Sequence, residues 1–398
     1  MFDFDTIIQR EHTDSLKYSA PIQGKKKDLI PLWVADMDFL VPKEVEEAIS
    51  QRAKHGIYGY TEPDMDAFFP PLAQWFALRH SWQVHKEWLV QTPGVVAAIA
   101  AAISAFTKPG DGVLVTQPVY YPFTSTIQRN RRKVINSSLV VKDGKYIIDY
   151  ADFEKKIVDN NISLFLLCNP HNPGGRVWTR EELTTIGEIC LRHNVLILSD
   201  EIHEDFIWPG NTHTVFASIN ESFLNNTVTC TAPTKTFNIA GLQISNIFIA
   251  NPELRKKFVS AFLATGMRRI NPFGIVACEA AYTYGAAWLD AVKAYIYDNI
   301  LFIRNFTKLN LPELTMMQPE GTYLVWVDCS RLGLTPSALD SFMEEKAGLW
   351  LDPGYVFGKD GYGYERINAA CARSLLEKAL LQLKSAIKDL TIAEERNL

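Results

Sequence analysis

The sequence predicts a large α/β domain built on a mostly parallel sheet, followed by a smaller α+β domain. Short apolar runs at 113–116 (Val-Leu-Val-Thr), 164–167 (Leu-Phe-Leu-Leu), 195–198 (Val-Leu-Ile-Leu) and 227–230 (Thr-Val-Thr-Cys) alternate with helical patterns. Continuous apolar strands separated by helices signal a parallel sheet covered on both faces. Beyond residue 286 the pattern changes to one long helical stretch, two further strand-like runs and a terminal helix. With 398 residues, the chain is long enough for two or more domains with substantial cores.

Each element has its own signal. Residues 181–193 place Leu183, Ile186, Ile189 and Cys190 along one side of a helix. Residues 287–309 read as a helix bridging into the second region. Strands at 323–327 (Tyr-Leu-Val-Trp-Val) and 366–369 (Arg-Ile-Asn-Ala) follow, with a helix over 374–387. There is no internal repeat and no Pro/Gly/Ser-rich linker, so the division rests on these changes of pattern. It gives an N-terminal segment, 1–45, packing on the small domain; a large domain, 46–286; and a small C-terminal domain, 287–398.

Composition narrows the function. The chain is 47% hydrophobic and 21% charged, with a formal net charge of −5, which excludes disorder as its main theme. The basic runs at 25–27 and 129–133 are too short to create a field for nucleic acid or anionic membrane. No apolar run approaches the ~18 residues that would span a bilayer. The acidic start, Met-Phe-Asp-Phe-Asp, lacks a secretory signal, so a cytoplasmic location is expected. Cysteines 168, 190, 230, 278, 329 and 371 form no Cys-x-x-Cys pair and are expected to be reduced and mostly buried. No metal site is expected. Walker, Rossmann, nucleophile-elbow and His-Glu-x-x-His motifs are all absent.

Four segments follow strands or open helices, where an α/β sheet places its ligands. Residues 167–175, Leu-Cys-Asn-Pro-His-Asn-Pro-Gly-Gly, form a tight polar loop. Residues 198–204 put Asp200 directly after a strand, and residues 230–241 set Lys235 among small hydroxyl and apolar side chains. Residues 91–98 open an Ala-rich helix on a Pro-Gly turn, whose free N–H groups suit a phosphate. Individually these are compatible with a plain turn, a helix N-cap, a solvated lysine and an ordinary helix start.

In this order, the Asn-Pro loop, the strand-end Asp and Thr-Lys-Thr-Phe-Asn at 234–238 resemble pyridoxal-phosphate enzymes of the aspartate aminotransferase fold, whose large domain carries a seven-stranded sheet. Leu-Trp-Val-Ala-Asp-Met-Asp-Phe at 32–39, Tyr-Gly-Tyr-Thr at 58–61 and Ser-Asp-Glu-Ile-His at 199–203 resemble the MalY/PatB-type cystathionine β-lyases within that group. The similarity runs over about residues 32–387.

The resemblance implies pyridoxal 5'-phosphate as cofactor and a role for each matching residue. Lys235 would hold the cofactor as a Schiff base and remove the substrate Cα proton, Asp200 would keep the pyridine nitrogen protonated, and Tyr120 would stack on the ring. Asn172 would donate to the phenolic oxygen, and His203 stands where aminotransferases often carry Tyr. Gly94, Val95 and Val96 amides, with the hydroxyls of Thr234 and Thr231, would hold the phosphate. Gln243 occupies the position, eight residues after the lysine, where many aminotransferases place an arginine. Arg366 would take the α-carboxylate through its guanidinium fork, while Arg373 reads as structural. Tyr60 would reach a neighbouring subunit's site, binding cofactor and substrate and requiring a homodimer. Residues 268–272 line the entrance or form a surface loop.

The reaction implied is α,β-elimination of L-cystathionine or related cysteine S-conjugates, giving homocysteine or another thiol, pyruvate and ammonia. An aminotransferase of class I/II is the alternative, because it shares every cofactor contact. An additional regulatory binding role is a further alternative.

Overall fold

The computed structural model describes residues 2–19, 24–25 and 28–396; Lys26 and Lys27 of the basic run lie outside them. The large domain carries a seven-stranded sheet of β1 (Leu89–Thr92), β2 (Gly112–Val115), β3 (Lys133–Asn136), β4 (Leu164–Cys168), β5 (Leu196–Asp200), β6 (Thr227–Thr231) and β7 (Ser245–Phe248). Their spatial order is β3-β2-β4-β5-β6-β7-β1. Only β7 runs against its neighbours, pairing antiparallel with both β6 and β1.

The period-2 side-chain alternation of a strand explains why the central runs are apolar throughout. Leu164, Leu166, Leu196 and Leu198 enter one core with Ala98, Ile99 and Phe258 from the helices Val95–Phe106 and Pro252–Leu263. Phe165, Leu167 and Ile197 face the opposite way into a second core, against Leu183, Ile186 and Ile189 of the helix Arg180–Arg192. That helix starts on a capping box, Thr179 accepting from the Glu182 N–H and Glu182 reaching back to the Thr179 N–H.

The 25-residue helix Ala286–Asn310 leads into a four-stranded antiparallel sheet of β8 (Thr315–Met316), β9 (Leu324–Asp328), β10 (Asp352–Pro353) and β11 (Tyr364–Asn368), in the order β8-β9-β11-β10. A third core joins this sheet, the long helix and the terminal helix Arg373–Arg396 to residues from Phe4 to Phe39. Ile30 and Pro31 pair in parallel with Leu349 and Trp350.

The predicted strands and helices lie within a few residues of those observed, except the terminal helix, which extends beyond 387. Five strands of the two sheets were not anticipated: β1, β3 and β7 of the large one, and the two-residue strands β8 and β10 of the small one. β3 coincides with the end of the basic run at 129–133, where an edge strand tolerates charge and half-burial. The helix Met65–His80 contains Pro70 and Pro71 and is nonetheless continuous, buried through Phe68, Leu72, Trp75 and Phe76. All six cysteines are free and buried. No helix among the described residues is long and apolar enough to cross a membrane.

Candidate active site

At the carboxyl ends of β4, β5 and β6 the sheet opens into a cavity of about 280 Å³. Its lining includes Gly94, Val95, Val96, Tyr120, Asn172, Asp200, His203, Thr234 and Lys235, so nearly every residue singled out from the sequence meets in one place. Beyond Lys235 the space continues into a wider recess of about 620 Å³, lined in part by Arg10, Asp14, Asp36 and Asp38.

Asp200 is the last residue of β5. One oxygen accepts from the Ile202 N–H at 3.2 Å. Burial pushes its carboxyl up to about 7, against the Ile202 hydrogen bond and the charge of Lys235. Among the described residues no cation forms an ion pair with it, so the site has room for a positively charged donor.

Lys235 sits on a single turn, Pro233–Thr236, directly after β6. Its amine donates to the Ala35 carbonyl at 2.6 Å. Burial, with Arg366 adding to it against Asp36 and Asp200, brings that amine down to about 8. A lysine so placed is neutral often enough near pH 7 to act as nucleophile and base.

The Asn-Pro loop is wired into the sheet. The Asn169 N–H donates to the Asp200 carbonyl at 2.9 Å, and the Tyr120 N–H donates to the Asn172 carbonyl at 3.0 Å. Asn172 Oδ1 accepts from Arg366 Nη1 at 3.0 Å, which leaves the amide Nδ2 to donate toward the cavity. Arg366, on β11, also donates to the Trp33 carbonyl at 2.7 Å and pairs with Asp352, with Phe357 under its guanidinium at 5.0 Å. Its Nε is buried without a partner.

Gly94 precedes the helix Val95–Phe106 with φ +102°, a conformation that disfavours any side chain. The first N–H groups of that helix have no intrahelical acceptor, giving an anion site at its N-terminus. Thr92 fixes the turn, its hydroxyl meeting the Gly94 carbonyl at 3.2 Å and Ser245 Oγ at 2.7 Å. Thr234 lines the cavity beside it. Gln243 does so too, and no arginine is among the lining residues.

His203 has a buried Nδ1 with no partner, and burial holds its ring well below the ordinary imidazole range, hence neutral. Its ring stands at 72° to that of Tyr323, 5.6 Å away. Tyr120 lines the cavity with rings of Tyr121 and Phe123 behind it at 5.6 and 6.0 Å.

Three candidates are not among the lining residues. Arg366 is connected to the cavity through Asn172, to which it donates. Thr231 is not a lining residue: as part of β6 it turns its hydroxyl to the Asn246 carbonyl of β7 at 2.8 Å, which corrects the expectation that it holds phosphate. Tyr60 is 98% exposed and touches no part of this chain's cavity. Residues 268–272 are not part of the cavity lining: they lead into the helix Pro272–Tyr284, with Arg269 paired to Glu62 at 2.9 Å and Asn271 capping that helix. Arg373 is held by Asn299 at 2.7 Å and stacks on Phe302, a structural position.

The groups that sequence reasoning missed are the side chains of Asp352 and Tyr323 and two backbone carbonyls. Ala35 and Trp33 offer carbonyls to Lys235 and Arg366, and Tyr323 Oη donates to the same Ala35 carbonyl at 2.9 Å. The signal was the polar pair Asn238 and Asn368. Asn238 holds Met37 and Phe39 through three hydrogen bonds of 2.8–3.0 Å, and Asn368 holds the Val34 and Asp36 carbonyls at 2.6 Å each.

Pyridoxal phosphate fits these donors: a helix N-terminus for the phosphate, an unpaired carboxylate for the pyridine nitrogen, and an amine for the aldehyde. The strand order and the small domain are those of aminotransferase fold type I. The family model for aminotransferases of class I and II matches residues 27–383, and the chain belongs to that family. It is 43% identical over 387 residues to the cystathionine beta-lyase PatB of Bacillus subtilis (strain 168), covering 97% of this chain and 100% of the relative. The protein MalY of Escherichia coli (strain K12) is 33% identical over 391 residues, covering 98% and 99%. The structure of cystalysin from Treponema denticola, which contains pyridoxal 5'-phosphate, superposes with a TM-score of 0.94 at 41% identity, covering 98% of this chain and all of the other.

Proposed function

We propose that this protein is a pyridoxal-phosphate-dependent carbon–sulfur β-lyase, cleaving L-cystathionine and related cysteine S-conjugates to a thiol, pyruvate and ammonia. The observation that carries the reading is the presence of Lys235, with its amine brought down to about 8, and Asp200, a buried carboxylate without an ion-pair partner among the described residues, in the lining of one cavity. The lyase names of the relatives favour elimination over amino transfer.

The bound cofactor supplies an electron sink for the charge left at the substrate Cα. Lys235, Asp200, Asn172, His203, Tyr120, Thr234 and the amides of Val95 and Val96 would hold it; the Gly94 N–H, expected to join them, is already given to the Thr92 carbonyl at 2.8 Å, so Gly94 serves through its backbone conformation. Lys235 then takes the Cα proton on Nζ, within reach of the Ala35 carbonyl that orients it. Asp200 keeps its partner protonated, and Arg366 binds the α-carboxylate, already fixed in direction by Asp352 and Asn172. The Cβ–S bond breaks with its electron pair leaving on sulfur, and water releases the remainder as pyruvate and ammonia. The recess beyond Lys235 has room for the distal half of cystathionine; Arg10, Asp36 and Asp38 in its lining are paired with one another.

Tyr60 completes the site from a second copy of the chain, which makes the working form a homodimer; its full exposure in one chain supports this. The enzyme works in the cytoplasm. Cofactor-loaded protein incubated with L-cystathionine should release pyruvate and free thiol in equal amounts. Amino transfer to an added 2-oxoacid, with no pyruvate, would make it an aminotransferase instead.

A further inference from the structure

On the far side of the segment that follows β5 lies a second cavity, of about 380 Å³, lined by Arg79, His80, Glu204, Asp205, His213 and Lys293 among others. Three elements converge there: the C-terminal end of the helix Met65–His80, the residues after Asp200, and the loop leading to Phe216. His80, Glu204 and His213 place one potential ligand atom each within 4.8 Å of one another. Their side chains are closed to solvent: His80 is 4% exposed, His213 2% and Glu204 3%.

The hydrogen bonding of this cluster is incomplete in one direction only. His213 Nε2 lies 2.8 Å from Glu201 Oε2, and His80 Nε2 lies 3.1 Å from Asp205 Oδ1. Asp205 is itself held by the Trp75 indole at 3.2 Å and Thr236 at 2.7 Å. Glu201 accepts from Ser199 at 2.7 Å and the Phe216 N–H at 3.0 Å. The atoms left without partners are His213 Nδ1 and Glu204 Oε2. Buried polar atoms are nearly always satisfied. Two acceptor-capable atoms facing one cavity, beside imidazoles each oriented by a carboxylate, form the outer support that metal-ligating histidines use.

Charge agrees. Arg79 is paired with Asp290 at 2.6 Å, which leaves Lys293 against Glu204 and Asp205 of the lining and against Glu201, bonded to His213. That balance is short of two positive charges. An anion would worsen it and leave Glu204 unsatisfied.

We propose that His80, Glu204 and His213 bind a divalent transition-metal ion of the zinc or cobalt class. Two imidazoles and one carboxylate suit those ions rather than magnesium or calcium. Bonds of about 2.0–2.2 Å require the three side chains to close by roughly an ångström, with the cavity supplying a fourth, water position. The ion ties together the three elements named above. Because Glu201 follows Asp200 directly and Glu204 stands four residues after it, the ion braces the strand end that carries this acid.

The test uses the holoenzyme. Protein incubated with cobalt(II) and exhaustively dialysed should retain about one metal per chain by elemental analysis and show visible ligand-field bands. Glu204→Gln and His213→Asn should each lower affinity at least ~10-fold. Should both variants fail to fold, the wild-type bands decide: intense bands of four- or five-coordinate cobalt support the site. Wild-type protein that retains no cobalt overturns the proposal, as do octahedral bands alone or folded variants binding as tightly as the wild type.

Discussion

Arg366 Nη1 stands 3.0 Å from Asn172 Oδ1, joining β11 of the small sheet to the loop that follows β4 of the large one. The residue expected at the substrate carboxylate and the residue expected at the cofactor are therefore one hydrogen-bonded unit. Asp352 and the Trp33 carbonyl hold the guanidinium from the other side. Arg366→Lys keeps the charge and loses the planar fork. It should lower kcat/KM by about 10–100-fold, mostly through KM, as expected from charge-assisted hydrogen bonds worth about 1.5–3 kcal/mol. Steady-state kinetics on cystathionine would show this, and an unchanged KM would remove the assignment.

Lys235→Ala should abolish the visible absorbance band of lysine-bound cofactor and reduce turnover at least ~10³-fold. Normal turnover in this variant would sink the functional reading.

Asp200→Asn replaces the anion by a neutral amide of the same shape. Turnover should fall by about 10²–10³-fold while cofactor is retained, because the electrostatic support is lost and the packing is not. Single-turnover rates on fully loaded protein would separate this from a binding defect.

The pH dependence of cofactor capture follows from Lys235. Its amine is charged below about 8 and neutral above it, and only the neutral form attacks an aldehyde. Capture by cofactor-free protein should therefore slow about tenfold per pH unit below 8 and level off above it. Stopped-flow absorbance between pH 6 and 9 would report this, and a flat profile would contradict the lowered amine.

Lys17 is fully buried and pairs with Asp38 at 2.7 Å, next to Asp36, while Arg10 bonds both acids at 2.7 Å. Lys17→Ala leaves a buried charge partly unpaired beside the segment that presents Ala35. It should lower stability by about 3 kcal/mol, seen as a lower urea midpoint. An unchanged midpoint would show that Arg10 alone suffices.

Mixed dimers of Tyr60→Phe and Lys235→Ala chains should regain activity if sites are shared, since one of the two sites then has both native residues. Failure to complement would argue against Tyr60 acting across subunits.

The sequence by itself determined the two kinds of sheet and the order of chemical groups along the chain. Strands such as 164–168 are legible because burial on both faces leaves no polar position, and Asp200 is legible because it ends such a run. β1, β3 and β7 escaped because their half-buried or polar sequences, such as Lys-Val-Ile-Asn, owe their extended state to neighbours rather than to local pattern. Only the tertiary structure decided which groups meet. Thr231 and Thr234 are three residues apart and equally suited to phosphate, yet a strand turns one hydroxyl to Asn246 while the turn beyond it presents the other to the cavity. It also brought residues as distant as His80 and His213 together, and set Ala35 beside Lys235. Carbonyl positions and long-range juxtapositions leave no trace in a linear pattern, because any residue can supply a backbone oxygen and only chain packing places it.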